Sequence, residues 1–390
     1  MHIRGLIVLT LVLGLELALT GGAAARHMHL QQLREQQQQA QARVAKGLAG
    51  VQLMSPWPVT AHDSGGVLLL SDSPEYVGEY GILYSDVIRG EARIFYYHVN
   101  VTDRPGKLAV VLENLGTRRT QVSVERSAMP EPSANYFHVG KETQIGYMRI
   151  PQPVGKIPLE AGSRNLLNPL MGVELLEPKE LALGMYDIFT TEPVRVTVVF
   201  CPAPGNPVDF VQRARILPKD EVALRGTFKG MNRTLRARHS YEPERDGTVY
   251  IPIGDDYYDT YKQGIDATDG SRVINYGNYG VLYRLELPTI GSQPVKVMLT
   301  PLGGPYAGAV RVEAGRRESR VVHTPAGRLY FGTDTPGDLV PRTGKNAILT
   351  KDFELALIGR FKPYRYFALE YSPPGASNLP VLLIMAPGDS

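Results

Sequence analysis

One cysteine, Cys201, stands in 390 residues. A single thiol excludes an intramolecular disulfide framework and any zinc or iron–sulfur centre built on several cysteines. An excess of one charge is missing too. The 42 Lys and Arg face 39 Asp and Glu, a formal +3, and that balance argues against a nucleic-acid binder, which carries a concentrated basic face. Past residue 25 no apolar run nears the roughly 20 residues of a membrane helix, so no transmembrane span is expected in the mature chain. No GxGxxG opens a helix, and there is no Walker loop, GxSxG elbow or HExxH pair. Cys201 ends an alternating strand with no His or Lys close in sequence, and reads as a small buried hydrophobe.

The chain has the length of two domains and, at 43% hydrophobic residues, enough apolar material for a core. Its 40 Gly and 30 Pro favour many turns over long helices. Residues 1–25 have the form of a secretory signal: Arg4 in a basic start, an apolar run from Leu6 to Leu19 broken by Glu16, and Ala23-Ala24-Ala25 as a cleavage pattern. The expected location is therefore extracytoplasmic, either secreted or at the cell surface. Residues 26–60 form a lead-in, Gln-rich over 27–48 and free of Pro and Gly until Gly47. Leu30, Leu33, Gln37, Ala40 and Val44 fall at heptad-like steps, which fits a stalk or self-association helix, or else a polar spacer. His27-Met28-His29 is a pair of copper-type ligands with no enclosing shell.

From Val67 the period changes to that of strands. Arg93 to Val99 is β-branched and aromatic, Leu108 to Leu112 is apolar, and Gln121 to Glu125 and Val194 to Val198 alternate. The body also repeats itself. Tyr80-Gly81-Ile82-Leu83-Tyr84 returns as Tyr279-Gly280-Val281-Leu282-Tyr283. Leu112, Leu115 and Gly116 return 187 residues on as Leu299, Leu302 and Gly303. Val122 and Val124 match Val310 and Val312, and Pro193-Val194 matches Pro380-Val381. The expected fold is all-β: two related β-sandwich domains in tandem, 61–204 and 218–390, joined by a Pro-rich linker at 205–217. An added hairpin is expected around Ile88-Arg89-Gly90.

The stretch Gly254 to Tyr261 with Asp266 to Ser271 is the most chemically suggestive. Asp255, Asp256, Asp259, Asp266 and Asp269 are oxygen donors of the kind calcium takes, though not at EF-hand spacing. Tyr257, Tyr258 and Tyr261 beside them suit stacking on, and hydrogen bonding to, a sugar. The same residues also read as caps and turns, with Asp255 or Asp256 opening a short helix through Lys262. His62, His98, His138, His239 and His323 are scattered; His98 and His138 make the better pair, since both fall on expected strands.

Ser73-Pro74-Glu75, Phe95-Tyr96-Tyr97-His98-Val99-Asn100, Gly264 to Gly270 and Ser372 to Pro380 carry a resemblance over about 66–390. The body resembles a group of secreted bacterial proteins labelled by the N-terminal-type domain of copper amine oxidases. The resemblance implies export, not oxidase activity. Such an oxidase needs a Tyr in an Asn-Tyr-Asp/Glu context and an HxH pair. Here Asn275-Tyr276 and Asn278-Tyr279 are followed by Gly, Asn135-Tyr136 is followed by Phe137, and the body has no HxH. The reading that fits best is a non-enzymatic envelope protein binding wall polymer, glycan or a surface protein. The alternatives are an extracellular enzyme on glycan or amine substrates, and a structural assembly subunit.

Overall fold

Two exceptionally long strands organise the molecule: Gly81–Asn100, of 20 residues, and Leu181–Pro202, of 22. They pair antiparallel with Phe95 opposite Met185 and Ile94 opposite Tyr186. Successive side chains on a strand point to opposite faces. Phe95, Tyr97, Val99, Leu181, Leu183 and Met185 therefore enter one core, while Ile94, Tyr96, Tyr186 and Ile188 enter another. Each such side chain contributes about 1.5–3 kcal/mol on burial. A one-residue slip would exchange the two sets, so the register is strongly specified.

The computed structural model describes residues 53–149, 155–315, 318–332, 347–348 and 355–388. The chain divides into residues 1–53 with 338–352, and residues 54–337 with 353–390; the architecture here is that of the second unit. The signal, the Gln-rich segment and the His27-Met28-His29 pair lie outside the described residues. Among those described, no helix is long and apolar enough to cross a membrane.

The fold is all-β and sandwich-like, with three sheets among the described residues. The largest runs Arg272–Asn275, Lys262–Ile265, Arg225–Lys229, Val67–Ser71, Gly81–Asn100, Leu181–Pro202, Gly106–Asn114, Arg164–Leu166. A second carries Leu53–Pro56, Val249–Ile253, Val381–Pro387, Val295–Pro301 and Ala356–Phe361 in that order. The third runs Glu318–Thr324, Gly308–Ala314, Phe367–Tyr371, Leu282–Glu286, Asn232–Ala237, Val59–Ser64.

The hairpin expected at Ile88-Arg89-Gly90 is absent; one strand runs straight through it. Gly90, at φ 88°, lies opposite Thr190, and the register shifts between Thr190 and Val194. Pro193 sits in that shift, where its missing N–H costs no ladder bond. The irregularity shifts the pairing of the two long strands without interrupting either. Residues on both sides of it, Tyr84 and Ile88 before and Ala92 and Ile94 after, line the same core.

Strand pairing crosses the expected linker. Val67–Ser71 bonds in parallel to the strand Gly81–Asn100 and antiparallel to Arg225–Lys229. The segment 205–217 is itself packed: Asn206 caps the helical turn Pro207–Phe210, and Leu217 is buried with its N–H on the Ile82 carbonyl at 2.8 Å. The expected boundary at 60/61 falls inside the strand Val59–Ser64. One register recurs at the spacing of the repeat. Val194 faces Asn114 and Val196 faces Leu112; 187 residues on, Val381 faces Pro301 and Leu383 faces Leu299.

The one long helix among the described residues, Tyr136–Met148 (α1), starts at Asn135, whose side chain accepts the His138 N–H at 3.2 Å. It lies so close to the loop before the final strand that a Cβ on Gly140 would stand 2.0 Å from the Gly375 carbonyl oxygen. Arg93 is fully buried beneath this helix. It grips Asp187 with two bonds of 2.6 and 2.8 Å and reaches the Met231 carbonyl at 2.6 Å and Asn232 Oδ1 at 2.9 Å. Tyr147 Oη of α1 donates to the same carboxylate at 2.6 Å. Helix and sheet thus share one charge-paired centre, and Arg93 stays protonated: burial opposes the charge, but Tyr147 and Asp187 outweigh it.

Candidate functional site

Two places collect chemistry-bearing side chains. The first is interior. Ser71, at the end of its strand, places Oγ 2.8 Å from His98 Nε2, and His98 Nδ1 lies 2.9 Å from the Pro74 carbonyl oxygen. The carbonyl only accepts, so Nδ1 carries the hydrogen and Nε2 accepts from the Ser71 hydroxyl. That is the polarity of a nucleophile and its base. Access is missing: Ser71 is 1% and His98 0% exposed. Burial pushes the His98 imidazole down to about 4, against smaller opposing effects of the Pro74 bond and Asp220. The neighbouring Asp220 accepts from Ser73 Oγ and the Glu75 N–H, both at 2.8 Å. His138 is on α1, exposed, and not on a strand; it forms no pair with His98.

The second place is a surface corner built by the loop 254–261. Gly254 leaves the strand Val249–Ile253 at φ 70°. No helix follows. Asp255 Oδ1 instead accepts the N–H groups of Tyr257, Tyr258 and Asp259 at 3.3, 3.1 and 2.9 Å. Asp256, at φ 59°, accepts the Tyr261 N–H at 2.9 Å. These are local side chain to backbone bonds of the kind Asp offers in turns.

Asp259 points the other way, into the protein. Its two oxygens take Arg233 Nη1 at 2.6 Å, Tyr283 Oη at 2.6 Å and the Gly254 N–H at 2.7 Å. Arg233 also binds Asp63 at 2.7 Å, and Lys262 Nζ joins Asp63 at 2.6 Å. Burial alone would raise Asp63; the bonds from Arg233 and Lys262 outweigh it and hold the carboxyl below its ordinary range. The loop is thereby fixed from beneath.

Its outer side is aromatic. Tyr257 is 60% and Tyr258 43% exposed, edge-on to each other with centroids 4.8 Å apart. Lys262 pairs with Asn275 across the hairpin, which brings Tyr261 beside Tyr276, edge-on at 5.8 Å. Tyr276, 51% exposed, was not among the residues singled out as sugar ligands. Its place in the turn-rich run Asn275 to Gly280 was visible in the sequence; its closeness to Tyr261 came from the hairpin.

The five acids proposed as calcium ligands do not converge. Asp266 is buried on Arg225 at 2.9 Å, Asp269 pairs with Lys219 at 2.7 Å, and Asp259 is turned to Arg233. Among the described residues no three His, Cys, Asp or Glu side chains come together as a metal ion requires. Asp266 to Gly270 forms the hairpin turn, with Gly270 at φ 76°. Cys201 is buried, and burial pushes its thiol up to about 11. A shallow recess elsewhere is lined by Tyr96, Leu108, Met129, Glu174 and Leu175. Burial, and Glu131 nearby, raise the Glu174 carboxyl.

No family model matches this chain, and no curated protein does. Among solved structures it is similar to a Paenibacillus xanthan lyase at 7% identity and TM-score 0.17, over 86% of this chain and 26% of the lyase. It is also similar to the coconut allergen cocosin at 10% identity and TM-score 0.14, over 86% and 85% of the two chains. The chain spans about a quarter of the lyase's length. TM-scores this low carry no argument about fold or function.

Proposed function

We propose that the protein is a non-enzymatic binding module that holds an envelope polymer or glycan outside the cytoplasm, at the corner formed by Tyr257, Tyr258, Tyr261 and Tyr276. The supporting observation is the contrast between exposed rings and a rigid base. Tyr257 and Tyr258 stand in water on a loop pinned by Asp259, Arg233 and Tyr283, Tyr276 is exposed on the neighbouring turn, and Tyr261 is half-buried beside it. Such a base lets stacking proceed with little ordering cost, which is where preorganised sites gain affinity. The export-type leader of the sequence supports the location.

The test is co-sedimentation of the purified full chain with isolated bacterial cell-envelope polymer. The variant Tyr257→Ser/Tyr258→Ser/Tyr276→Ser is expected to weaken binding at least about tenfold, since base or ring stacking contributes about 0.5–1.5 kcal/mol per aromatic pair. Undiminished binding by that variant sinks the reading.

A second reading, an enzyme acting on glycans, rests on the recess beside Glu174, whose raised carboxyl has the character of a general acid. Hydrolysis of envelope glycan that disappears in Glu174→Gln would replace the first reading.

A further inference from the structure

Resting on the binding reading above, we infer that the tyrosine corner selects a glycan bearing free ammonium groups, an amino-sugar polymer whose nitrogen is not acylated, over neutral and anionic polymers. The argument is one of unpaired charge beside aromatic faces.

The carboxylates along this stretch separate into two sets. Asp259, Asp266 and Asp269 each have a cation: Arg233 at 2.6 Å, Arg225 at 2.9 Å and Lys219 at 2.7 Å. Asp255 and Asp256 have none among the described residues; both accept only backbone N–H groups, each through Oδ1. The loop Gly254 to Tyr261 contains three Asp and no Lys, Arg or His. The lysine next to it, Lys262, is turned inward to Asp63. Arg272 stands at the far end of the hairpin, opposite Ile265. With Asp259 neutralised from below, the corner keeps the charge of the exposed Asp256 and of the half-buried Asp255, whose carboxyl burial raises above its ordinary range against the N–H bonds from Asp259, Tyr257 and Tyr258.

The two acids without a cation also hold the backbone of the exposed Tyr257 and Tyr258 and of the half-buried Tyr261. Asp255 caps the N–H groups of Tyr257 and Tyr258, and Asp256 caps that of Tyr261. An aromatic face attracts a cation through its quadrupole, and the attraction adds to that of a nearby carboxylate. A polyanion meets repulsion here, and a neutral sugar gains stacking alone. A sugar ammonium gains both, which at exposed sites amounts to a preference of about tenfold.

The experiment uses the full chain and three probes: chitosan, chitin, and polygalacturonate immobilised on beads. They are compared just below neutrality at low and high salt. The expected result is tighter binding to chitosan than to chitin by about tenfold, none to polygalacturonate, and a preference that fades in salt. Asp255→Asn/Asp256→Asn keeps both backbone caps, because the Asn side chain retains an acceptor oxygen and tolerates the positive φ of Asp256. It is expected to bind chitosan and chitin equally, with its melting temperature retained. Equal binding of chitin and chitosan by the unaltered chain overturns the ammonium inference while leaving the tyrosine reading standing. A chitosan preference that survives Asp255→Asn/Asp256→Asn also overturns it, since the attraction would then lie elsewhere. Binding to no probe and to no envelope polymer removes both.

Discussion

The Ser71–His98 pair and the tyrosine corner invert one another. The first has reactive groups in catalytic polarity, 2.8 Å apart, with no route to solvent. The second has ample solvent contact and no metal cluster among the described residues. Residue type fixes what a group is able to do; burial fixes whether it meets a substrate. The interior polar groups therefore belong to stability, and the exterior aromatics are the surface on which the proposed recognition rests. Each prediction below tries to break that division.

The largest effect is expected inside. Arg93→Met leaves Asp187, whose side chain is 15% exposed, without its bidentate partner. Breaking a buried pair from one side costs about 3–5 kcal/mol. Denaturant unfolding should show that loss, and the double variant Arg93→Met/Asp187→Leu should recover most of it. An unchanged midpoint for the single variant would mean that the charge pair does not hold helix and sheet together.

Acid comes next. His98 has a folded-state pKa of about 4, held down by burial, against an ordinary value of 6.5. The unfolded chain therefore binds this proton first. Its effect on stability is nil above 6.5, grows as pH falls through 6.5, and levels off near 4. The full loss is about 3 kcal/mol. Melting temperature measured between pH 7 and pH 4.5 should fall, and His98→Gln should flatten that part of the curve. A profile as steep in the variant would assign the acid sensitivity to other groups.

The tyrosine corner should show the reverse. Tyr257→Ser/Tyr258→Ser/Tyr276→Ser removes exposed rings only, so its stability should stay within about 0.5 kcal/mol of the parent while polymer binding weakens at least about tenfold. A large drop in melting temperature would make the corner structural and erase the contrast. The smallest effect concerns Cys201. Its thiol is buried and shifted up to about 11, so at neutral pH it should resist alkylation until the chain is unfolded. Rapid labelling of the native chain would show that this part of the core opens to reagent.

Much of the fold was legible in the sequence because strand alternation is a local property. Arg93 to Val99, Gln121 to Glu125 and Val194 to Val198 all lie in strands. The strand 120–128 alternates buried and open positions as its sequence does. The hairpin at Gly90 was misread for a physical reason. Gly, Arg and Pro193 signal an interruption, but only the partner strand decides whether it becomes a turn or a bend within one strand. His138 was misread because a Gly- and Thr-containing run of weak amphipathicity gives no clear period; packing of Val139 and Tyr147 into the core makes it helical.

The candidate site was legible by half. A run of Asp and Tyr between turn residues marks an exposed loop, and Tyr257 and Tyr258 are indeed exposed. Which acids would face outward was hidden. Asp255 and Asp259 are four residues apart in the same loop, yet one caps backbone at the surface and the other lies under it against Arg233. Arg233 and Tyr283 are remote in sequence, and nothing local announces that they meet Asp259.

The sequence by itself determined the all-β class, the exposed Asp/Tyr loop and the inert setting of the lone cysteine, because these follow from side-chain period, backbone preference and immediate neighbours. Tertiary structure alone decided the rest. It put alternate residues of the two long strands into two cores, paired three of the five acids with distant cations, sealed a serine and a histidine away from water, and left two carboxylates without a cation, among the described residues, beside four tyrosines. Those outcomes depend on which surfaces meet, and a meeting of residues far apart along the chain is fixed by the register of whole sheets.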